Sequence, residues 1–472
     1  MLTPDDVRQA TESPTTRLVW GRLVLPAGVQ IGGLLIEGGR IIAITDQRDA
    51  VPAERRIDYG EAYILPGLIE VHGHMREPGL SHKEDYLTGT RAAVAGGVTT
   101  ILDMPNTQPP TTTLEALDSK AALAAGRTFC DYAFIFGGSS DNAAHIAQID
   151  PAAGAVVGVK FFMAGHETTP TTVANLGDLY SGLRAMQGKG LPALFHAENQ
   201  QLINRLAADL KAAGRVDGRA YSESRGPLVA QTAIVEALAL CEALSIPAYI
   251  CHISSRAELS AIQDAKQRGV QVFAEAVSYH LTFSEDDYDT LGPWLKVSPP
   301  VRAAAEREAL WQAFQDGQID TLASEHTPHT RAEKDRPIWD SASGMPGIQE
   351  SLPTVVTQYR QRCPQLSADA LLTTVARLGS THVARIFGLD QRKGSLAIGH
   401  DADLTVLDPG HTWTFETADV LSKCGWSAYA GRTFTCRVLA TFVRGGQVFD
   451  WQQGVIGNPS GQRIFRQQPA TI

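Results

Sequence analysis

Apolar runs and amphipathic stretches alternate through the middle of the chain. Eight apolar runs, at 63–71, 98–104, 131–137, 155–163, 192–196, 247–253, 270–277 and 319–324, read as strands. Stretches with helical periodicity lie between them, among them Lys83–Ala95, Leu114–Ala125, Leu202–Ala213, Pro227–Leu244 and Ala257–Arg268. Each run is continuously apolar rather than alternating, which suits a strand covered on both faces. Eight β-then-α units between about 63 and 390 predict an α/β fold, a (β/α)8 TIM barrel with insertions. A doubly wound open sheet is the alternative, weakened because no G-x-G-x-x-G follows the first strand.

Outside that block the pattern is β-like and punctuated by glycine. Leu18 to Leu25 alternates, and Leu34 to Ile44 reads as a hairpin around Gly38-Gly39. Lys393 to Leu407 alternates with glycine turns, and Val438 to Val448 reads as a hairpin turned at Gly445-Gly446. Residues 1–16 read as a loose tail. The simplest packing joins 1–62 and 391–472 into one small β-sandwich domain beside a barrel of residues 63–390.

Composition narrows the class. A chain of 472 residues exceeds one ordinary core. Its formal charge of −10 argues against nucleic acid or an anionic membrane as a main partner. We read no apolar run reaching the roughly 20 residues that span a bilayer. The polar, acidic N-terminus is not a secretory signal, so a cytoplasmic location is expected. The six cysteines form no C-x-x-C and are expected as reduced thiols.

In such a barrel, function sits at the C-terminal ends of the strands. The first strand ends in His72 and His74, an H-x-H pair whose side chains share one face. The fourth carries Lys160, the fifth ends in His196, the sixth in His252 and the eighth in Glu325. Singly, each has a plain reading: a satisfied core histidine, a snorkelling lysine, a carboxylate capping a helix. Jointly they read as a metal centre. Lys160 fits because a desolvated amine loses its proton. The free amine can then add CO2, giving a carbamate whose two oxygens can bridge two metal ions.

The motifs also resemble a known family. They are Leu65-Pro66-Gly67-Leu68-Ile69, the run His72 to Gly79, Gly97-Val98-Thr99-Thr100, Asp103-Met104-Pro105-Asn106-Thr107, the Lys160 strand, Phe195-His196-Ala197-Glu198, Cys251-His252-Ile253-Ser254, Glu325-His326-Thr327-Pro328-His329 and Gly399 to Leu404. Together they resemble the cyclic amidohydrolases of the amidohydrolase superfamily, above all dihydroorotase. The resemblance implies two divalent metal ions, typically zinc, with His72 and His74 on the first and His196 and His252 on the second. N6-carboxylated Lys160 would bridge them. Glu325 would be a ligand of the first metal and the general acid/base. Arg76, Asn106 and His329 match the positions that hold the substrate carboxylate in dihydroorotase, and the guanidinium fork suits a carboxylate. Gly344 to Ile348 resembles the family's substrate-covering loop.

The activity so implied is the reversible hydrolysis of dihydroorotate to N-carbamoyl-L-aspartate, a step of pyrimidine biosynthesis. The alternatives are an allantoinase, a hydantoinase or dihydropyrimidinase, and a catalytically silent scaffold. A homo-oligomer, dimer or tetramer, is expected, with a small cyclic amide as the partner molecule. The sequence departs from the pattern in places. Glu325 stands for the usual aspartate, as does Glu70, and Val277-Ser278-Tyr279-His280 replaces Cys-Pro-His-Tyr. Outside the motif positions, His166 and His280 are the histidines best placed to overhang the barrel mouth.

Overall fold

A computed structural model describes residues 13–166, 168–169 and 171–467. The tail expected over 1–16 lies, up to residue 12, outside the described residues. Four strands open the chain: β1 (Arg17–Leu25), β2 (Gly28–Glu37), β3 (Arg40–Thr45) and β4 (Arg56–Pro66). Eight more follow, alternating with helices: β5 (Leu68–Gly73), β6 (Val98–Asp103), β7 (Asp131–Gly137), β8 (Gly158–Phe162), β9 (Ala193–His196), β10 (Ala248–Ile250), β11 (Val272–Val277) and β12 (Thr321–Ala323). The chain closes with β13 (Leu404–Asp408), a short ribbon of β14 (Trp413–Thr414) and β15 (Thr433–Phe434), then β16 (Arg437–Val443), β17 (Gly446–Asp450) and β18 (Gly454–Val455).

Strands β5 to β12 pair in sequence order, each parallel to the next. A parallel bridge from Gly73 to His326 brings the first strand against the end of the last. The result is a (β/α)8 TIM barrel. Strand β7 shows why its run is apolar throughout. Ala133 and Ile135 join an inner cluster with Ile69, Leu102, Leu194 and Tyr249 from other strands. Tyr132, Phe134 and Phe136 pack instead with residues of the surrounding helices. Burying one such aromatic contributes roughly 1.5–3 kcal/mol.

The two chain ends meet in a second sheet, ordered β18-β17-β16-β13-β4-β1-β2-β3. They join where β4 and β13 run antiparallel, Tyr63 opposite Leu407 and Pro66 opposite Leu404. The run expected as one strand over 63–71 is therefore two strands, split between sheet and barrel. Gly67 is the crossing point. A Cβ there would lie 2.3 Å from Oγ1 of Thr99, so the backbones approach only because the side chain is missing.

One helical segment, Gly218–Leu244, is long and apolar enough by composition to cross a bilayer, against our reading of the sequence. It is two helices, Gly218–Ser224 and Pro227–Leu244, broken at Arg225-Gly226. The longer one buries Ala233, Ile234, Ala237, Leu238 and Cys241 in the main core, and its many alanines explain the apolar average. All six cysteines are buried and free.

Candidate metal centre at the barrel mouth

His72 stands near the end of β5 and His252 follows β10, so strands from different sides of one closed barrel aim them at one point. Ligand atoms of His72, His252 and Glu325 all lie within 4.8 Å of one another. The ring centroids of His72 and His74 are 5.3 Å apart, as are those of His72 and His252, and His196 stands 4.8 Å from His252. Nδ1 of His196 faces Nε2 of His252 at 2.9 Å. Lys160 on β8 is wholly buried beside them, its Nζ 2.8 Å from Sγ of Cys251 and 5.2 Å from the centre of the Phe162 ring. The structure thus gathers His72, His74, Lys160, His196, His252 and Glu325 at one end of the barrel.

Each imidazole is oriented by a partner. Nδ1 of His72 donates to Oε1 of Glu275 at 2.8 Å. Nδ1 of His74 donates to Oδ1 of Asn106 at 2.6 Å. Both rings therefore keep Nε2 for a ligand. Nε2 of His196 meets Oε2 of Glu198 at 2.9 Å, so Nδ1 is the nitrogen it turns toward Nε2 of His252. Nδ1 of His252 is buried and without a hydrogen-bond partner among the described residues.

Glu70 accepts from the backbone of His72 at 2.9 Å and of Ser324 at 3.0 Å, tying the end of β5 to the end of β12. Asp103 accepts from the backbone of Met75 at 3.1 Å and from Nζ of Lys120 at 2.9 Å, fixing the loop after the H-x-H pair. These two carboxylates hold the backbone that carries the ligands, whereas Glu275 and Glu198 contact the rings and set which nitrogen is free.

The electrostatics suit cation binding. Burial, then the nearby Lys160 and His196, holds His72 well below the ordinary imidazole value. Burial does the same to His74 and His252, and lowers His196 despite Glu198. Neutral imidazoles are the ligating form. Burial, reinforced by Glu275, lifts Glu325 well above the usual carboxylate range. Four neutral imidazoles, a carboxylate and a buried amine, one ring nitrogen unpartnered, fit a pair of divalent cations.

Arg76, Asn106 and His329 are adjacent, but they are occupied. The Arg76 guanidinium is buried. It donates to the carbonyl of Pro328 at 3.2 Å and to Oγ1 of Thr168 at 3.3 Å, and lies 3.3 Å from Nε2 of His329. Asn106 spends its oxygen on His74 and reaches the carbonyl of Thr168 at 3.4 Å with Nδ2. His329 receives Nζ of Lys83 at 3.2 Å and contacts the carbonyl of Ser343 at 3.1 Å. The cleft over the histidines is lined instead by Phe162, His166, Val297, Ser298, Thr327 and Gly344, beside His72, His74, His196 and Glu325.

Of the two overhanging candidates, His166 lines this cleft, whereas His280 turns away and bonds the carbonyl of Pro299 at 3.0 Å. Sequence reasoning missed Glu275 and Thr168. A lone carboxylate inside the apolar run of β11 was a signal for Glu275; nothing marked Thr168.

A model of the amidohydrolase family matches residues 63–448. An allantoinase of Streptomyces avermitilis is 33% identical over 451 residues, 94% of this chain and 97% of that one. An allantoinase of Deinococcus radiodurans is 34% identical over 447 residues, 94% of this chain and 96% of that one. Among solved structures, the L-hydantoinase (dihydropyrimidinase) of Arthrobacter aurescens superposes with a TM-score of 0.89 at 31% identity, covering 95% of this chain and 99% of that one.

Proposed function

The chain belongs to the amidohydrolase family, an enzyme that hydrolyses cyclic amides, and within it we propose that its substrate is a cyclic ureide of the allantoin or hydantoin type. The buried convergence of His72, His252 and Glu325 carries the hydrolytic part of this reading. The allantoinases and the hydantoinase named above, each matched along nearly its whole length, support that substrate class. Dihydroorotase, the first expectation from sequence, has less support. It rested on Arg76, Asn106 and His329, which here take one another, His74 and Thr168 as partners.

His72 and His74 would hold one divalent cation, His196 and His252 a second, with carboxylated Lys160 between them and zinc the expected metal. Bound there, the cations would supply Lewis-acid polarisation of the scissile ring carbonyl. Water adds to that carbonyl carbon, and the ring C–N bond breaks. Glu325 takes a proton from the attacking water and returns it to the departing ring nitrogen. Val297, Phe162 and Gly344 crowd the cleft and limit bulk water around the reacting amide.

A second reading is favoured by one observation. Among the described residues the buried Arg76 has no carboxylate within ion-pair distance, so a substrate carboxylate that displaced Thr168 would find a cation waiting. A panel of allantoin, hydantoin, dihydrouracil and dihydroorotate, offered to the zinc-loaded enzyme, separates the two. We expect allantoin or a hydantoin to be turned over at least about tenfold better in kcat/KM, a difference of roughly 1.4 kcal/mol. Preference for dihydroorotate that Arg76→Asn abolishes would transfer the assignment to the second reading. No turnover of any of them, with metal bound, removes both.

A further inference from the structure

Glu325 is the carboxylate of the candidate centre, and its reach needs explaining. It follows β12 with φ at 46°, a left-handed conformation that a residue with a side chain seldom adopts. Its side chain has one more rotatable bond than an aspartate and so more positions to wander through. Among the described residues a single donor restrains that carboxylate: the hydroxyl of Tyr279 bonds Oε2. The other oxygen, Oε1, accepts no hydrogen bond among the described residues and faces Nε2 of His252 at 3.9 Å.

Tyr279 is itself firmly held. It follows β11, on the strand next to β12 in the barrel. It is buried, its carbonyl accepts from the backbone of Phe283 at 2.8 Å, and its ring lies edge-on to His280 at 4.6 Å. The two residues in contact are also two positions at which the sequence departs from the pattern it resembles.

We propose that Tyr279 is a positioning residue that ties down Oε2 of Glu325, so that the longer carboxylate offers a single oxygen, Oε1, to the cation cluster. Held at one oxygen, the side chain cannot chelate one cation with both. It also keeps its spare oxygen in a fixed hydrogen bond rather than in water. This rests on the metal-dependent reading above.

The test is zinc retention by the full-length protein against a competing chelator, read beside kcat, KM and the melting temperature of the zinc-free form. Tyr279→Phe removes the hydroxyl and keeps the ring. It should retain zinc on the order of tenfold less tightly, the usual cost of losing an outer partner of a ligand. It should also lower kcat with little change in KM, and leave the zinc-free melting temperature in place. In a Glu325→Ala background the same change should add nothing, because its effect passes through Glu325. Zinc retention and kcat within about twofold of the parent, or a full second loss in the Glu325→Ala background, overturns the proposal. A parent chain that retains no zinc overturns the metal-centre reading, and this one with it.

Discussion

Oε1 of Glu275 lies 2.8 Å from Nδ1 of His72, although the two residues are 203 positions apart in the chain. The same oxygen accepts the backbone N–H of His252 at 2.7 Å, and Oε2 accepts the hydroxyl of Tyr249 at 2.9 Å. One carboxylate on β11 thus orients a ring from β5 and the backbone that presents another after β10. Burial raises it to about 7, while the charge of Lys160 pulls the other way. Glu275→Gln keeps the shape and the acceptor but loses the charge that makes His72 a better ligand. Zinc affinity should fall roughly 10- to 100-fold, as measured by chelator competition. Affinity at the parent level would remove Glu275 from the site.

Lys160 is the group whose chemistry depends most on its surroundings. It is wholly buried, and the carboxylates of Glu275 and Glu325 are near enough for its charge to act on them. Lys160→Ala should leave protein with far less bound metal and at least about a hundredfold lower activity, more than the loss of an outer partner costs. Acetate or propionate, added as a substitute for the missing carbamate, should restore part of both. Full activity of the variant with no acid added would remove the bridging role.

Much of the barrel was legible because its strands are apolar on both faces. The run expected over 131–137 is β7 residue for residue, and the helix expected over Pro227–Leu244 has those ends. The break at Gly67 was not legible, because the strands on either side of it are equally apolar. What divides them is a close approach to Thr99, a tertiary fact. The same limit governed the site. The histidines stood out by falling at strand ends. Whether Arg76 faces a substrate or Thr168 depends on how a later loop folds back over it, and no local pattern records that.

The acid limb of stability should carry the mark of Glu198. Burial alone would raise its pKa, but Arg225 and His196 outweigh it and hold the carboxyl at about 2. A folded value below the unfolded one means stabilisation that is present above the unfolded value and lost as pH falls toward the folded one. For a glutamate that window runs from roughly pH 5 down to 2, and the contribution is on the order of 3 kcal/mol. Urea unfolding of the zinc-free protein at several pH values should show it. Glu198→Gln should have a shallower fall across that window than the parent. Parallel profiles would place the titration elsewhere.

The last prediction concerns what fastens sheet to barrel. Nζ of Lys393 sits among three carboxylates: Asp131 at 2.6 Å, Asp401 at 3.0 Å and Asp403 at 2.5 Å. Asp131 begins β7 of the barrel, and Asp403 immediately precedes β13 of the other sheet. Three buried acids this close could themselves hold a cation, but the ammonium already occupies the position between them. Arg444 adds a second positive group on Asp131, and Arg392 meets Asp401 at 2.8 Å. Lys393→Met keeps the apolar stem and deletes the charge, leaving carboxylates in a region closed to water. Breaking one side of such a buried arrangement costs about 3–5 kcal/mol, so the urea midpoint should drop accordingly. Because Asp131 and Asp403 belong to different sheets, the variant should also expose the junction at β4 and β13 to proteolysis before the barrel opens. A loss below about 1 kcal/mol, the scale of an exposed pair, would mean that the two arginines suffice and the lysine is not the fastening.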